Sequence, residues 1–295
     1  MALNIHSPIL PPELEREIFE LCALISLPRG ILKLMLVAQR VHECSVYAQY
    51  REIDPELPRI SPSALCSVMK RKPPGFFDTV RRVFLRPAHN EPPCYLQFLT
   101  LCINLEDVDI WFPFQRSPWI SLVEQLHLRR LSIEPEVSWA LSKTSPIFSN
   151  LTHLQFCSKL PYGSEPRMLS TLEAFQALTH FACIGIYKSL LTMSHRMLSS
   201  LTSLRILILW IMGSQYMDLE DFQDLAQDVR FIVMPRRRHI ADGVDFWVEA
   251  DIFSDKRRTG EIDVRIDLIA LQRRILCYRS TSHYSGIVYL VFPIL

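Results

Sequence analysis

The sequence predicts an α/β solenoid of about seven turns with a parallel sheet on its concave face, preceded by a small all-α module. Three observations predict this fold class: a six-residue apolar frame that occurs seven times, helix-like segments between the copies, and a proline-led helical stretch before the first copy. A single turn of this kind cannot bury its own apolar face, so the turns must stack.

The repeated frame reads apolar, x, x, apolar, x, apolar, as in LTHLQF at residues 151–156. Its seven copies begin at Val80, Leu105, Leu128, Leu151, Leu178, Leu204 and Val229. Successive starts are 23 to 27 residues apart, as expected of repeats that each supply one strand and one crossing. We expect the first, fourth and sixth side chains of each frame in the core, and those between them on the open face of the sheet.

The segments between the frames are predicted to form short helical crossings on the convex side. Several begin with Ser-Pro or Glu-Pro, and proline is favoured at the first position of a helix. Apolar residues then recur at three- and four-residue spacing, as Trp119, Leu122, Val123 and Leu126 do.

The frame and its spacing resemble those of leucine-rich-repeat proteins, over about residues 60 to 258. Those proteins usually carry an asparagine after the third apolar position. The seven copies instead carry Arg86, Trp111, Glu134, Cys157, Ile184, Trp210 and Pro235. The resemblance therefore implies an irregular solenoid that lacks the usual asparagine ladder.

The N-terminal 50 residues are predicted to form three short helices. The opening Leu10-Pro11-Pro12-Glu13-Leu14 presets the start of the first helix, and an apolar stripe follows as far as Ile25. A turn at residues 27–30 ends that helix, and two shorter helical segments come after it. Three such helices bury little apolar surface by themselves, which makes a partner physically reasonable.

This opening resembles the Leu-Pro-x-Glu-Leu start of an F-box, which implies that the partner is the Skp-type adaptor of an SCF-type ubiquitin ligase. By that resemblance the adaptor-facing residues are Leu10, Pro11, Leu14, Ile18 and Val37. The third helix departs from the pattern, because Val41-His42-Glu43 stand where an F-box usually has a tryptophan. Together with the repeats, the module is similar to the F-box-like proteins expanded in mushroom-forming fungi. The alternative is a helical cap that only shields the first repeat.

The resulting domain prediction has four parts. Residues 1–50 form the F-box-like three-helix module, and residues 51–79 are a linker with the first convex helix. Residues 80–258 form the leucine-rich-repeat-like solenoid, with a C-terminal capping helix. Residues 259–295 are an atypical tail that ends in an uncharged, β-branched and aromatic run.

The open face of the sheet supplies the candidate partner-binding residues, namely Arg129, Arg130, His153, His180, Ile206, Ile208, Phe231 and Val233. The first three strands alternate basic, acidic and basic side chains, which indicates either a cross-strand ion ladder or a docking strip for a charged segment. The last two carry an apolar patch, and such patches indicate a bound partner or a covering element. A helix from about Asp242 to Lys256 is the candidate cover.

Composition and motifs exclude other classes of function. Lys and Arg total 32 against 31 for Asp and Glu, so nucleic acid is not an expected partner. The longest apolar runs have about nine residues, against the roughly 20 that span a membrane. No secretory signal precedes the module, so we expect an intracellular protein, cytoplasmic or nuclear.

Sites for chemistry are also not expected. The eight cysteines are never closer than eight residues, unlike the ligands of a zinc site. Phosphate loops and nucleophile elbows are missing, so we expect no catalytic residue, cofactor or metal. The sequence thus predicts a protein-binding adaptor that recognises an unknown protein substrate for an SCF-type ligase. The alternative is a repeat-based interaction scaffold whose N-terminal helices only cap the solenoid.

Overall fold

The computed structural model describes residues 11, 14, 17–19, 22, 52–53, 62–85, 94–110, 117–161, 163–184, 188–211, 222–235 and 245–262. The chain divides into two compact units, Met1–Leu131 and Ser132–Leu295. Of the predicted features, Leu10, Val37 and the tail from residue 263 onward lie outside the described residues.

Strands and helices alternate in the first unit. In chain order it contains β1 (Glu52–Ile53), α1 (Pro62–Arg71), a 3-10 helix (Pro74–Thr79), β2 (Arg82–Leu85), α2 (Cys94–Leu101), β3 (Asp107–Ile110), α3 (Ser117–Gln125) and the beginning of β4 (Arg130–Ile133). Strand β1 pairs with β2 and β2 with β3, both in parallel. The short strand β1 lies in the segment 51–79, for which the sequence predicted a linker and the first convex helix but no strand.

The second unit continues the alternation. It contains the end of β4, then α4 (Pro135–Ala140), α5 (Ile147–Asn150), β5 (His153–Lys159), α6 (Glu165–Ala174), β6 (His180–Ile184), α7 (Lys188–Ser200), β7 (Ile206–Ile211), α8 (Gln223–Ala226), β8 (Phe231–Pro235) and α9 (Phe246–Arg258). Strands β5 to β8 pair successively in parallel.

The strands β1 to β8 are ordered as they are along the chain, which confirms the α/β class with a parallel sheet. Strands β2 to β8 begin at residues 82, 107, 130, 153, 180, 206 and 231. Each of these lies two residues after the start of an apolar frame, so every frame contributes one strand.

The frame residues form the core on the helical side of the sheet. In six of the seven copies the first, fourth and sixth side chains are all buried, as Leu151, Leu154 and Phe156 are. The exception is the last copy, in which Val229 and Met234 are only partly buried. Burial of apolar surface stabilises the fold by roughly 25 cal/mol per Å², so each well-buried leucine contributes about 2 kcal/mol.

Backbone hydrogen bonds take over part of the role of the missing asparagines. The carbonyl of the second residue in a frame accepts hydrogen bonds from two successive N–H groups at the start of the next strand. Thr152 thus accepts from Thr179 and His180, and the Thr179 carbonyl accepts from Arg205 and Ile206. The carbonyls of Arg81, Glu106, Thr152 and Thr179 are satisfied in this way without a side-chain ladder.

The register of β8 differs from the frame by one residue. Leu207 lies opposite Phe231 and Ile208 opposite Ile232, and partners in a parallel pair point to the same face. The predicted place of Phe231 and Val233 on the open face is therefore wrong. Ile232 and Met234 take that place instead.

A local ion pair explains this slip. The Asp228 carboxylate accepts hydrogen bonds from the backbone N–H of Arg230 at 2.9 Å and from its guanidinium at 2.7 to 3.2 Å. In the preceding turn the equivalent N–H, that of Arg205, donates to the Thr179 carbonyl of the neighbouring frame, whereas the Arg230 N–H donates to Asp228. β8 therefore begins at the usual frame position but pairs with β7 shifted by one residue. Phe231 then enters the helical side, where its ring stacks on that of Phe222 at 6.2 Å.

Candidate functional site

Helix α9 covers the open side of the last three strands. The covered surface, which we call the α9 face, consists of Ala182, Ile184, Ile206, Ile208, Trp210 and Ile232. From the helix, Trp247 and Ala250 pack into this surface, with Phe246 and Phe253 at its margin. The predicted partner-binding residues Ile206 and Ile208 are therefore buried, at 1% and 0% exposure.

The sequence of α9 explains both its ends and its orientation. Asp245 is the N-cap and accepts a hydrogen bond from the Trp247 N–H at 3.0 Å. Lys256, Arg257 and Arg258 lie in the last turn, where positive charge suits the helix dipole. The buried positions Trp247, Ala250, Ser254 and Arg257 form one stripe at helical spacing. The stripe faces the sheet.

Two histidines lie side by side at the edge of the α9 face. His153 and His180 are register partners on β5 and β6, and their rings stack at 4.0 Å with an angle of 8° between planes. In each strand the preceding threonine bonds the ring, with Oγ1 to Nδ1 distances of 2.8 Å at His153 and 2.7 Å at His180. The repeated Leu-Thr-His sequence therefore repeats one side-chain geometry.

The histidine pair contacts α9 in two ways. The Trp247 ring packs edge-to-face against both imidazoles, and its centroid lies 5.1 Å from that of His153 and 5.7 Å from that of His180. His180 Nε2 also lies 3.0 Å from Oδ1 of Asp251, a half-exposed residue of α9. This hydrogen bond is a polar contact between the strand and the middle of the helix.

The two imidazoles are not arranged to bind one metal ion together. Because their planes are almost parallel, their nitrogen lone pairs point in parallel directions and do not converge on one ion. Within the described ranges there is also no group of three or more His, Cys, Asp or Glu side chains that could hold a metal. The arrangement is suited to docking a helix, and the sequence prediction had not connected the two histidines with α9.

The C-terminal half of α9 is held by buried polar contacts. The Arg257 guanidinium donates to the backbone carbonyls of Phe231 at 2.5 Å and of Asp228 at 3.2 Å, and also to that of Ala226. Ser254 Oγ donates to the Val229 carbonyl at 3.0 Å. The helix thus closes the turn before β8.

Trp210 has an unsatisfied donor at the other end of the same face. Its side chain is 5% exposed, and within the described part of the chain its Nε1–H has no hydrogen-bond acceptor. The ring of Phe246 packs against it at 5.0 Å. A buried N–H without a partner costs about 1 to 3 kcal/mol, so α9 covers Trp210 without matching its chemistry.

The alternating basic and acidic side chains that the sequence predicts on the open face lie in the first unit. Arg82 Nε donates to Asp107 Oδ2 at 2.5 Å between register partners, and Arg81 lies 3.8 Å from Glu106. Both pairs favour the interpretation as a cross-strand ion ladder. On the next strand, Arg129 is exposed and Arg130 is partly buried.

Three predicted adaptor-binding residues are described individually. Pro11 is exposed, and Leu14 and Ile18 lie in a helix with 48% and 45% of their surface exposed. They are four residues apart, a spacing that places both on one side of a helix.

Trp247 lies in the helix that the sequence predicted as the cover, which corresponds to α9, whereas the roles of Trp210 and Asp251 were not predicted. Trp247 and Asp251 are four residues apart in a predicted helix, and that spacing was the available signal.

No helix among the described residues is long and apolar enough to cross a membrane. A scan against protein-family models finds no match for the chain, and a search of curated proteins finds no similar one.

Proposed function

We propose that this chain is a non-enzymatic intracellular adaptor that recognises substrates for an SCF-type ubiquitin ligase. In this proposal the N-terminal helices are an F-box-like module, and the parallel strands belong to a leucine-rich-repeat-like solenoid. The module binds a Skp-type adaptor through Leu10, Pro11, Leu14, Ile18 and Val37. The solenoid binds the target, and other subunits transfer ubiquitin.

The observation that carries this proposal is the exposure of Leu14 and Ile18 on one side of a helix. Leaving an aliphatic side chain in water forgoes about 1.5 to 3 kcal/mol relative to full burial. A helical cap whose only task is to shield the first repeat would turn these two side chains inward. Their exposure therefore favours a binding surface over the scaffold alternative.

Co-purification of the full chain with a Skp-type adaptor tests this function. We expect the native chain to retain the adaptor and Leu14→Ala with Ile18→Ala to lose it, because both contact side chains are shortened. The matched control is Val248→Ala with Ile252→Ala, since these α9 residues are 46% and 53% exposed at the same spacing.

Two outcomes are decisive. Loss of the adaptor in the Leu14 and Ile18 variant, with retention in the control, supports the ligase-receptor function. Failure of the native chain to hold the adaptor would leave a repeat-based interaction scaffold with capping helices.

A further inference from the structure

The α9 face is a helix-binding surface that the chain itself occupies. It combines an aliphatic floor with two hydrogen-bonding groups at its margins, the His180 imidazole and the Trp210 indole N–H. Helix α9 satisfies the first group through Asp251 and leaves the second one unsatisfied. A helix that placed a hydrogen-bond acceptor beside Trp210 would satisfy both groups.

The chemistry of a better occupant follows from the contacts that α9 makes. An aromatic residue fills the position of Trp247, against the two imidazole rings. A small residue is needed three positions later, because Ala250 is fully buried against the sheet. A carboxylate four positions after the aromatic residue meets His180 Nε2, and an acceptor near the start of the helix meets Trp210.

We propose that the α9 face is the target-binding site, and that α9 is an intramolecular competitor which an amphipathic helix of the target displaces. The target helix carries an aromatic residue, a small residue and a carboxylate in the order i, i+3 and i+4. This inference rests on the proposed function and specifies where the target binds. It is separable from adaptor binding, because Leu14 and Ile18 belong to the other compact unit.

The competition has a quantitative consequence. A tethered helix competes at an effective concentration in the millimolar range, so a free helix at micromolar concentration hardly displaces it. Weakening α9 by a given factor increases the apparent affinity for a free helix by the same factor. Variants that loosen α9 without changing the sheet therefore reveal the site.

The test uses a fluorescein-labelled peptide with the sequence of residues 245–259, DFWVEADIFSDKRRT, and measures its binding to full-length chains by fluorescence anisotropy. We expect Asp251→Asn to bind the peptide about threefold to tenfold more tightly than the native chain, because one charge-assisted hydrogen bond of α9 is lost. We expect a larger gain for Trp247→Ala. The matched control is Asp255→Asn, since Asp255 is exposed and pairs with Arg258.

Peptide specificity completes the experiment. A second peptide has the same sequence except for Trp247→Ala and Asp251→Asn. We expect it to bind none of the chains. If circular dichroism shows that Trp247→Ala does not fold, the comparison of Asp251→Asn with Asp255→Asn decides alone. Equal binding of the first peptide to the native, Asp251→Asn and Asp255→Asn chains, or no binding to any of them, would overturn the proposal.

Discussion

At the scale of single residues, Trp210 is a buried side chain of the last turns whose hydrogen-bond donor is unsatisfied. The aromatic ring is well buried, but its N–H has no acceptor within the described residues. Removing a buried donor without removing the ring relieves a penalty of about 1 to 3 kcal/mol, although a smaller ring also leaves some space. The two effects therefore oppose each other in Trp210→Phe.

We expect Trp210→Phe to leave the free energy of unfolding within about 1 kcal/mol of the native value, and Trp210→Ala to lower it by about 3 to 5 kcal/mol. Urea denaturation monitored by far-UV circular dichroism measures both. A loss in Trp210→Phe as large as that in Trp210→Ala would show that the indole N–H is satisfied in solution.

Asp228 gives a residue-scale prediction about pH. Partial burial by itself raises the pKa of the Asp228 carboxyl, but the hydrogen bonds and charge of Arg230 outweigh it and leave that pKa below its ordinary value of 3.8. A carboxyl whose pKa is lower in the folded state adds stability above its unfolded pKa, and this stability is lost as the pH falls through the folded pKa.

We therefore expect Asp228→Asn to lower the urea midpoint at pH 7 and to have a smaller effect below about pH 4, where the native carboxyl also becomes protonated. Asp255→Asn is the control, because Asp255 is largely exposed and forms an ion pair with Arg258 of its own helix. A difference between the native chain and Asp228→Asn that does not change with pH would contradict this account.

At the scale of elements, α9 is fixed at its C-terminal end by Arg257. The guanidinium donates to the backbone carbonyls of Ala226, Asp228 and Phe231, of which that of Asp228 also accepts from the Phe231 N–H, whereas the neighbouring Arg258 is exposed. We expect Arg257→Met to lower the free energy of unfolding by about 2 to 4 kcal/mol, because the methionine fills the space but removes the side-chain donors from these carbonyls.

The comparison with Arg258→Met separates burial from charge. Both substitutions remove one positive charge from the last turn of α9, but the exposed site should change stability by no more than about 0.5 kcal/mol. Urea denaturation of the two variants provides the measurement. Equal losses would mean that the helix dipole, and not the carbonyl contacts, accounts for the effect of Arg257.

The register of β8 shows at the same scale what a periodic pattern can and cannot predict. The apolar frame correctly located the seven strands, because alternation is a local property of the sequence. It did not give the face of Phe231, because a strand with apolar residues at five successive positions fits either register. The observed register goes with hydrogen bonds from the Arg230 and Phe231 N–H groups to Asp228, and such local contacts are not a periodic feature of the sequence.

A pair of substitutions tests the corrected register. Phe231→Ala removes a ring that is 2% exposed and stacked on Phe222, so we expect a loss of about 3 to 5 kcal/mol. Val233→Ala, at a partly buried position, should cost clearly less. Similar small losses in urea denaturation for both variants would restore the original placement on the open face.

At the scale of the whole molecule, sequence reasoning located the parallel α/β array but not the contents of the site. The two Leu-Thr-His frames predicted that His153 and His180 would be neighbours, since equal frame positions become register partners. The spacing of Trp247 and Asp251 placed them on one side of the predicted helix, but it did not give their contacts with the histidines, because these contacts join segments 67 or more residues apart. No local pattern contains such a distance.

The two proposed binding surfaces belong to different compact units, which leads to a prediction for the entire chain. Leu14 and Ile18 lie in the first unit, and Trp247 and Asp251 lie in the second. Substitutions that share no interaction partners are usually additive within about 0.5 kcal/mol. A receptor with separate adaptor and target sites should therefore show no coupling between them.

We expect Asp251→Asn to retain the Skp-type adaptor as well as the native chain does, and Leu14→Ala with Ile18→Ala to bind the α9 peptide with native affinity. A chain with all three substitutions should lose the adaptor and should bind the peptide as tightly as Asp251→Asn does. Coupling between the sites would require a conformational state that both ligands favour or disfavour. Adaptor co-purification and peptide anisotropy on the four chains form a complete cycle. A change of more than about threefold in peptide affinity on adding the adaptor would contradict this expectation, because it would show that binding at one unit changes the affinity of the other.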